Sequence, residues 1–152
     1  MLQHQIKART EEETVQLAKK LASYLRPGDV ITLEGDLGAG KTTFTKGIAK
    51  GLQIERTVSS PTFTIVKEYK EGAYPLYHMD AYRLEFSEED IGFDHYFYGD
   101  GITVIEWAQF IEAYLPEDRL MIEIKYIDDE SRVLTFQAAG KRYERVLDEL
   151  FR

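Results

Sequence analysis

Val30-Ile31-Thr32-Leu33-Glu34-Gly35-Asp36-Leu37-Gly38-Ala39-Gly40-Lys41-Thr42-Thr43-Phe44 is the stretch that decides the fold class. Val30 to Leu33 is a short β-branched run, read as a buried strand. Gly35 to Thr42 then match the pattern G-x-x-x-x-G-K-[ST] throughout. From Lys41 to about Lys50 the chain reads as a helix, with Phe44, Ile48 and Leu52 on one face and Gly51 near its end. Strand, glycine turn and helix are the context in which this pattern cradles phosphate. Glycines let backbone N–H groups converge on phosphate oxygens without Cβ clashes. The helix start adds partial positive charge. Two glycines, a lysine and a hydroxyl residue at these positions arise by chance in roughly one chain of this length in a few hundred. The segment Gly35, Asp36, Leu37, Gly38, Ala39, Gly40, Lys41, Thr42, Thr43 is therefore the candidate nucleotide site. Lys41 is expected on the β- and γ-phosphates and the Thr42 hydroxyl on magnesium.

Such a site needs an acid at the end of another strand. Two are available. Glu106 follows Ile102-Thr103-Val104-Ile105, which reads as a central buried strand. Asp80 follows Tyr74-Pro75-Leu76-Tyr77-His78-Met79, where the proline predicts an edge strand. Glu106 has the better context for the metal, and Asp80 is a second acid that could orient water or metal. Ser59-Ser60-Pro61-Thr62 is a loop after the first glycine-motif helix, and Thr62 is its candidate hydroxyl for metal and γ-phosphate. His78 reads as a hydrogen-bonded strand residue, Trp107 as a core or partner-facing aromatic, and Lys141, Arg142 and Arg145 as a solvated helix face.

The rest of the chain supports one α/β domain over residues 1–152, of P-loop NTPase type, with a mixed, mainly parallel sheet flanked by helices. Thr10-Glu11-Glu12-Glu13 is a capping box opening a helix with Leu17, Ala18, Leu21, Ala22 and Leu25 on one face. Phe63 to Tyr69 and Tyr74 to Met79 are candidate paired strands. Ser87 to Asp90 predicts a short helix, and another follows Trp107 up to Leu115. Leu120 to Ile127 and Val133 to Gln137 flank a polar turn, predicting a C-terminal hairpin. A closing helix carries Tyr143, Val146, Leu147, Leu150 and Phe151.

Composition excludes several classes. With no cysteine there is no disulfide scaffold and no cysteine-ligated metal, which suits a cytoplasmic setting. No apolar run approaches a membrane span, and Met1 to Lys7 has no signal-peptide core. A net charge of −8 makes the chain a poor match for a nucleic-acid backbone. The absence of any asparagine excludes the N-K-x-D guanine reader, so ATP or ADP is favoured over guanine nucleotides.

Four motifs in order carry a family resemblance. They are Gly35 to Phe44, Ser60-Pro61-Thr62-Phe63-Thr64, His78-Met79-Asp80-Ala81-Tyr82-Arg83-Leu84, and Val104-Ile105-Glu106-Trp107-Ala108. From about Thr10 to Arg132 the chain resembles the TsaE family, small P-loop ATPases of bacterial tRNA threonylcarbamoyladenosine biosynthesis. The resemblance implies binding of ATP and magnesium and action with the TsaD–TsaB pair, with tRNA met only indirectly. That pair places a threonylcarbamoyl group on the adenosine next to the anticodon of tRNAs reading codons that start with A. Hydrolysis would support turnover of the complex; the chain would not itself be the transferase. By motif, Lys41 contacts phosphates, Thr42 and Glu106 hold magnesium, and Asp80 sits near the γ-phosphate. The resemblance also brings the segment around Thr10 and, from the far hairpin, Arg132 to the nucleotide. The alternative class is a stand-alone small-molecule or nucleoside kinase. Against it, the segment from Asp80 to Gly101 holds Arg83 as its one arginine among many acids, a poor lid for a phosphorylated substrate.

Overall fold

The structure is a computed structural model and describes residues 2–36, 38–59, 66–84 and 92–152. Seven strands among these residues form one mixed sheet in the order β1-β7-β6-β2-β5-β4-β3. They are β1 (Leu2–Ala8), β2 (Val30–Glu34), β3 (Val66–Tyr69), β4 (Leu76–Asp80), β5 (Ile102–Glu106), β6 (Arg119–Tyr126) and β7 (Arg132–Ala139). The contiguous centre β6-β2-β5-β4 is parallel. Antiparallel strands extend it on both sides, β7 and β1 beyond β6 and β3 beyond β4. Helices α1 (Glu11–Ala22), α2 (Lys41–Gly51), α3 (Phe93–Phe97) and α4 (Lys141–Leu150) flank it.

The period-2 alternation of the strands divides the core in two. On β2 and β5, Ile31, Leu33, Ile102 and Val104 face a large cluster with α1, α2 and α4. Val30 and Ile105 face a smaller cluster with Phe93, Phe97, Ala108 and Ile111. Glu106 shares a face with Val104, so its carboxylate lies on the side where α2 packs.

The capping box forms: Thr10 Oγ1 accepts the Glu13 N–H at 3.1 Å, and Glu13 Oε2 accepts the Arg9 N–H at 3.1 Å. The hairpin forms as β6 and β7, with Asp128 Oδ1 accepting the Glu130 and Ser131 N–H groups at its turn. Four expectations change. First, β4 is an interior strand, paired with β3 on one side and β5 on the other. Pro75 stands just before it, where its missing N–H costs nothing, and its carbonyl accepts the Ile102 N–H at 2.9 Å. Second, the segment after Trp107 is a 3-10 helix, Ala108–Tyr114, kinked at Ile111. Third, Arg142 is half-buried and pairs with Asp29 at 2.8 Å, so it does not belong to a solvated face. Fourth, the N-terminal residues form an edge strand, β1, that no apolar alternation announced. The candidate helix at Ser87 to Asp90 and the start of the Phe63 strand lie outside the described residues.

Candidate functional site

The site lies at the C-terminal ends of the parallel strands, where β2, β5 and β4 deliver their last residues side by side. Register places Leu33 beside Glu106 and Glu106 beside Asp80. The Ala81 N–H donates to the Glu106 carbonyl at 3.0 Å, fixing the two strand ends together. The loop leaving β2 then turns over this edge. The Ala39 N–H closes a turn onto the Asp36 carbonyl at 2.9 Å. Gly38 and Gly40 have φ values of 81° and 109°, a region open to glycine and strained for other residues. The first hydrogen bond of α2 runs from the Phe44 N–H to the Gly40 carbonyl at 2.9 Å. The N–H groups of Lys41, Thr42 and Thr43 are therefore left without an intrahelical acceptor, as at any helix start. The N-cap, Gly40, has no side chain to cap them. This row of donors, with the helix dipole behind it, fits an anion.

Lys41 is buried, and its Nζ stands 3.7 Å from Glu106 Oε1 and 4.5 Å from the centre of the Trp107 ring. Trp107 is held in the left-handed region at φ 59°. Its ring stacks on Phe110 and meets Tyr82 edge-on. Glu106 gives its other oxygen, Oε2, to His78 Nε2 at 2.7 Å. Asp80 is buried and accepts the Tyr82 N–H at 2.9 Å. Burial pushes its carboxyl above the ordinary aspartate range. The Tyr82 N–H and the nearby Lys41 act the other way, and the Glu106 charge adds to the rise. A groove of about 630 Å³ runs from Lys41 and Trp107 past Gly35 and Asp36 to Lys125 and Tyr126.

Lys41, Glu106 and Asp80 are thus brought together with the glycine loop. Thr42 opens α2 one residue beyond Lys41, half-buried. Arg132 reaches the loop from β7: its Nε donates to the Ala39 carbonyl at 2.7 Å and its Nη2 to the Gly38 carbonyl at 3.4 Å. A small depression of about 30 Å³ is lined by Arg132, Gly40, Thr43, Thr14 and Glu11. Thr10 lies next to Glu11, and its hydroxyl is engaged as the N-cap of α1. Leu37 and Thr62 lie outside the described residues. Two residues that the sequence reading left outside the site, His78 as a strand residue and Trp107 as a core or partner-facing aromatic, are placed beside it. For His78 the signal was present: it shares a strand face with Asp80, two residues on.

The donor set suits a nucleotide with magnesium. Backbone N–H groups and an ammonium match polyphosphate, and a hydroxyl with a carboxylate matches a hard cation. Among the described residues no group of three or more His, Cys, Asp and Glu side chains could hold a metal alone. The model for "Threonylcarbamoyl adenosine biosynthesis protein TsaE" matches residues 8–134. The chain belongs to the TsaE family. The TsaE match spans all four motifs. A Bacillus subtilis relative named tRNA threonylcarbamoyladenosine biosynthesis protein TsaE is 58% identical over 150 residues, covering 97% of this chain and 95% of the relative. A TsaE of the same name from a Nostoc species is 44% identical, covering 80% of this chain and 78% of its own. The crystal structure of Bacillus subtilis YdiB superposes with a TM-score of 0.87 at 51% identity, covering 99% and 95% of the two chains. No helix among the described residues is long and apolar enough to cross a membrane.

Proposed function

We propose that this TsaE-family chain is a single-domain, magnesium-dependent ATPase of tRNA threonylcarbamoyladenosine biosynthesis, acting with the TsaD–TsaB pair. The names of its relatives support the pathway. The observation that carries the activity is the run of N–H groups without intrahelical acceptors at the start of α2, beside a buried lysine and two strand-end acids. In this reading the N–H groups of Lys41, Thr42 and Thr43 bind the phosphates and the glycines keep the approach open. Lys41 leaves its loose contact with Glu106 and neutralises phosphate charge. Thr42 and Glu106 hold magnesium, whose chemistry is to offset charge on the β- and γ-oxygens. Asp80 lies one strand further along and faces the γ-phosphate, where a water has to be oriented. Arg132 holds the outer carbonyls of the loop and lines the depression beyond Gly40, on the side where the nucleoside would lie.

Two measurements test this reading. In equilibrium titrations ATP and ADP bind with magnesium, adenine is preferred to guanine, and Lys41→Ala weakens binding about tenfold to a hundredfold. That range corresponds to a charge-assisted contact of about 1.5–3 kcal/mol. In steady-state assays hydrolysis rises when the TsaD–TsaB pair is added. Asp80→Ala keeps ADP binding and loses on the order of 10²–10³ in rate. Equal GTP binding would sink the adenine assignment. Turnover driven by a small phosphoryl acceptor and indifferent to the pair would point to a kinase instead.

A further inference from the structure

His78 is fully buried in the middle of β4, yet among the described residues its ring makes a single hydrogen bond. That bond runs to Glu106 Oε2 at 2.7 Å. The other ring nitrogen, Nδ1, is buried and has no partner among the described residues. An ionised carboxylate only accepts, so Nε2 carries the proton and donates it. Leaving a buried ring nitrogen unsatisfied is costly, and an apolar side chain in this interior strand would avoid that cost. A ring kept for one bond points to the bond as its purpose. The two oxygens of Glu106 are thereby divided. Oε2 is taken by the imidazole, and Oε1 faces Lys41 Nζ at 3.7 Å, too far for a hydrogen bond.

We propose that His78 is a positioning residue for Glu106: its Nε2–H ties down one carboxylate oxygen from within the sheet, so that the other is presented, oriented and unencumbered, to a cation at the loop. The contact rests on the geometry alone; its use for a cation rests on the nucleotide reading above. Two elements set the geometry. On β4, His78 stands opposite Val104 of β5, two residue pairs before Asp80 and Glu106 and on the same face. The Glu106 side chain therefore reaches back along the sheet face to the imidazole, away from solvent. Without the donor, a buried glutamate can turn both oxygens to Lys41, which closes the lysine and the carboxylate onto each other.

The test compares His78→Leu, which removes the donor, with His78→Gln, whose side-chain amide can donate from a similar reach. ADP binding to the full chain is measured with and without magnesium chloride, and folding is checked by thermal unfolding. Wild type gains affinity on adding magnesium. His78→Leu loses about tenfold or more of that gain, the scale seen when partners of metal ligands are removed, and His78→Gln recovers most of it. An undiminished magnesium gain in a folded His78→Leu protein overturns the proposal. So does equal loss in His78→Gln, which would mark a packing role. The contact is tested separately on the nucleotide-free wild-type chain by nitrogen-15 NMR of its imidazoles. His78 should be the Nε2–H tautomer with a slowly exchanging proton, and Glu106→Ala should expose that proton while the His78 backbone amide stays protected. An Nδ1–H tautomer, or indifference to Glu106→Ala, overturns the contact. If wild type binds no ADP at all, the nucleotide reading falls with the cation half of the proposal, and the imidazole proton still decides the contact.

Discussion

At Asp80 the fold works against a charge that the proposed function calls on. Burial raises its carboxyl above the ordinary value of 3.8, and the Glu106 carboxylate opposite adds to the effect. A carboxyl raised in the folded state favours the protonated form there. Its contribution to stability is complete below the unfolded pKa and is lost as pH rises through the folded one. At neutral pH the ionised Asp80 is thus a destabilising element. Asp80→Asn keeps an acceptor for the Tyr82 N–H and removes the charge, so it raises the melting temperature at pH 7. The gain shrinks as pH falls toward 4. Thermal unfolding of both proteins across that range checks this, and a gain that grows toward low pH contradicts it. The residues of this site differ in how visible they were in the sequence. Lys41 and Glu106 follow local rules, a motif and a strand end. The pairing of His78 with Glu106 depends on the register between β4 and β5, which no local pattern contains.

Between elements, the tightest constraint is the contact of α1 with α2. A Cβ on Gly47 would stand 2.6 Å from Ala18 Cβ and 2.7 Å from the Val15 carbonyl oxygen. One turn on, a Cβ at Gly51 would meet Ala22 Cβ at 2.5 Å. Gly47→Ala improves helix propensity by about 1 kcal/mol. It also forces two helix backbones apart, at about 1–3 kcal/mol by overpacking. The second effect wins because one of the clashing atoms is main chain. Gly47→Ala should therefore lower stability in urea unfolding, and pairing it with Ala18→Gly should recover only part of the loss. A stabilised Gly47→Ala protein would mean the helices are free to part. The sequence pattern of α2 was legible through Phe44, Ile48 and Leu52, which mark the face turned to the core. The small-residue stripe at Gly47 and Gly51 belongs to a second face, and its meaning needs the partner Ala18 and Ala22. Likewise Pro75 predicted an edge strand by the missing donor, whereas its actual place just ahead of β4 makes the donor irrelevant. β1 left no trace because its outward residues, Gln3, Gln5 and Lys7, are polar and largely exposed at the sheet edge.

Over the whole molecule, the strand that carries the glycine loop is anchored to the C-terminal helix. Its start is held by α4: the Val30 N–H donates to Tyr143 Oη at 2.9 Å, and Arg142 pairs with Asp29. α4 is tied in turn to α1, where Lys20 Nζ donates to the Leu150 carbonyl at 2.9 Å. The C-terminal helix thus closes the fold at the end of β2 remote from the site. Tyr143→Phe leaves the buried Val30 N–H without its acceptor and should cost about 1–3 kcal/mol in chemical unfolding, while nucleotide affinity of the folded protein holds. A neutral Tyr143→Phe would show that the amide finds another partner.

Trp107 gives the molecule a property unrelated to its chemistry. It is the chain's single tryptophan, and a cation sits 4.5 Å from its ring, supplied by the lysine of the glycine loop. A positive charge over an indole face perturbs its excited state, so emission reports where that charge is. If Lys41 moves to a phosphate on nucleotide binding, as proposed, the ring loses its cation, and the ultraviolet fluorescence should change in colour or intensity. In Lys41→Ala the response to added nucleotide should be blunted even at saturation. An unchanged spectrum in wild type on binding would place the lysine over the ring throughout. The chain is its own optical gauge, with no dye between the measurement and the side chain that matters.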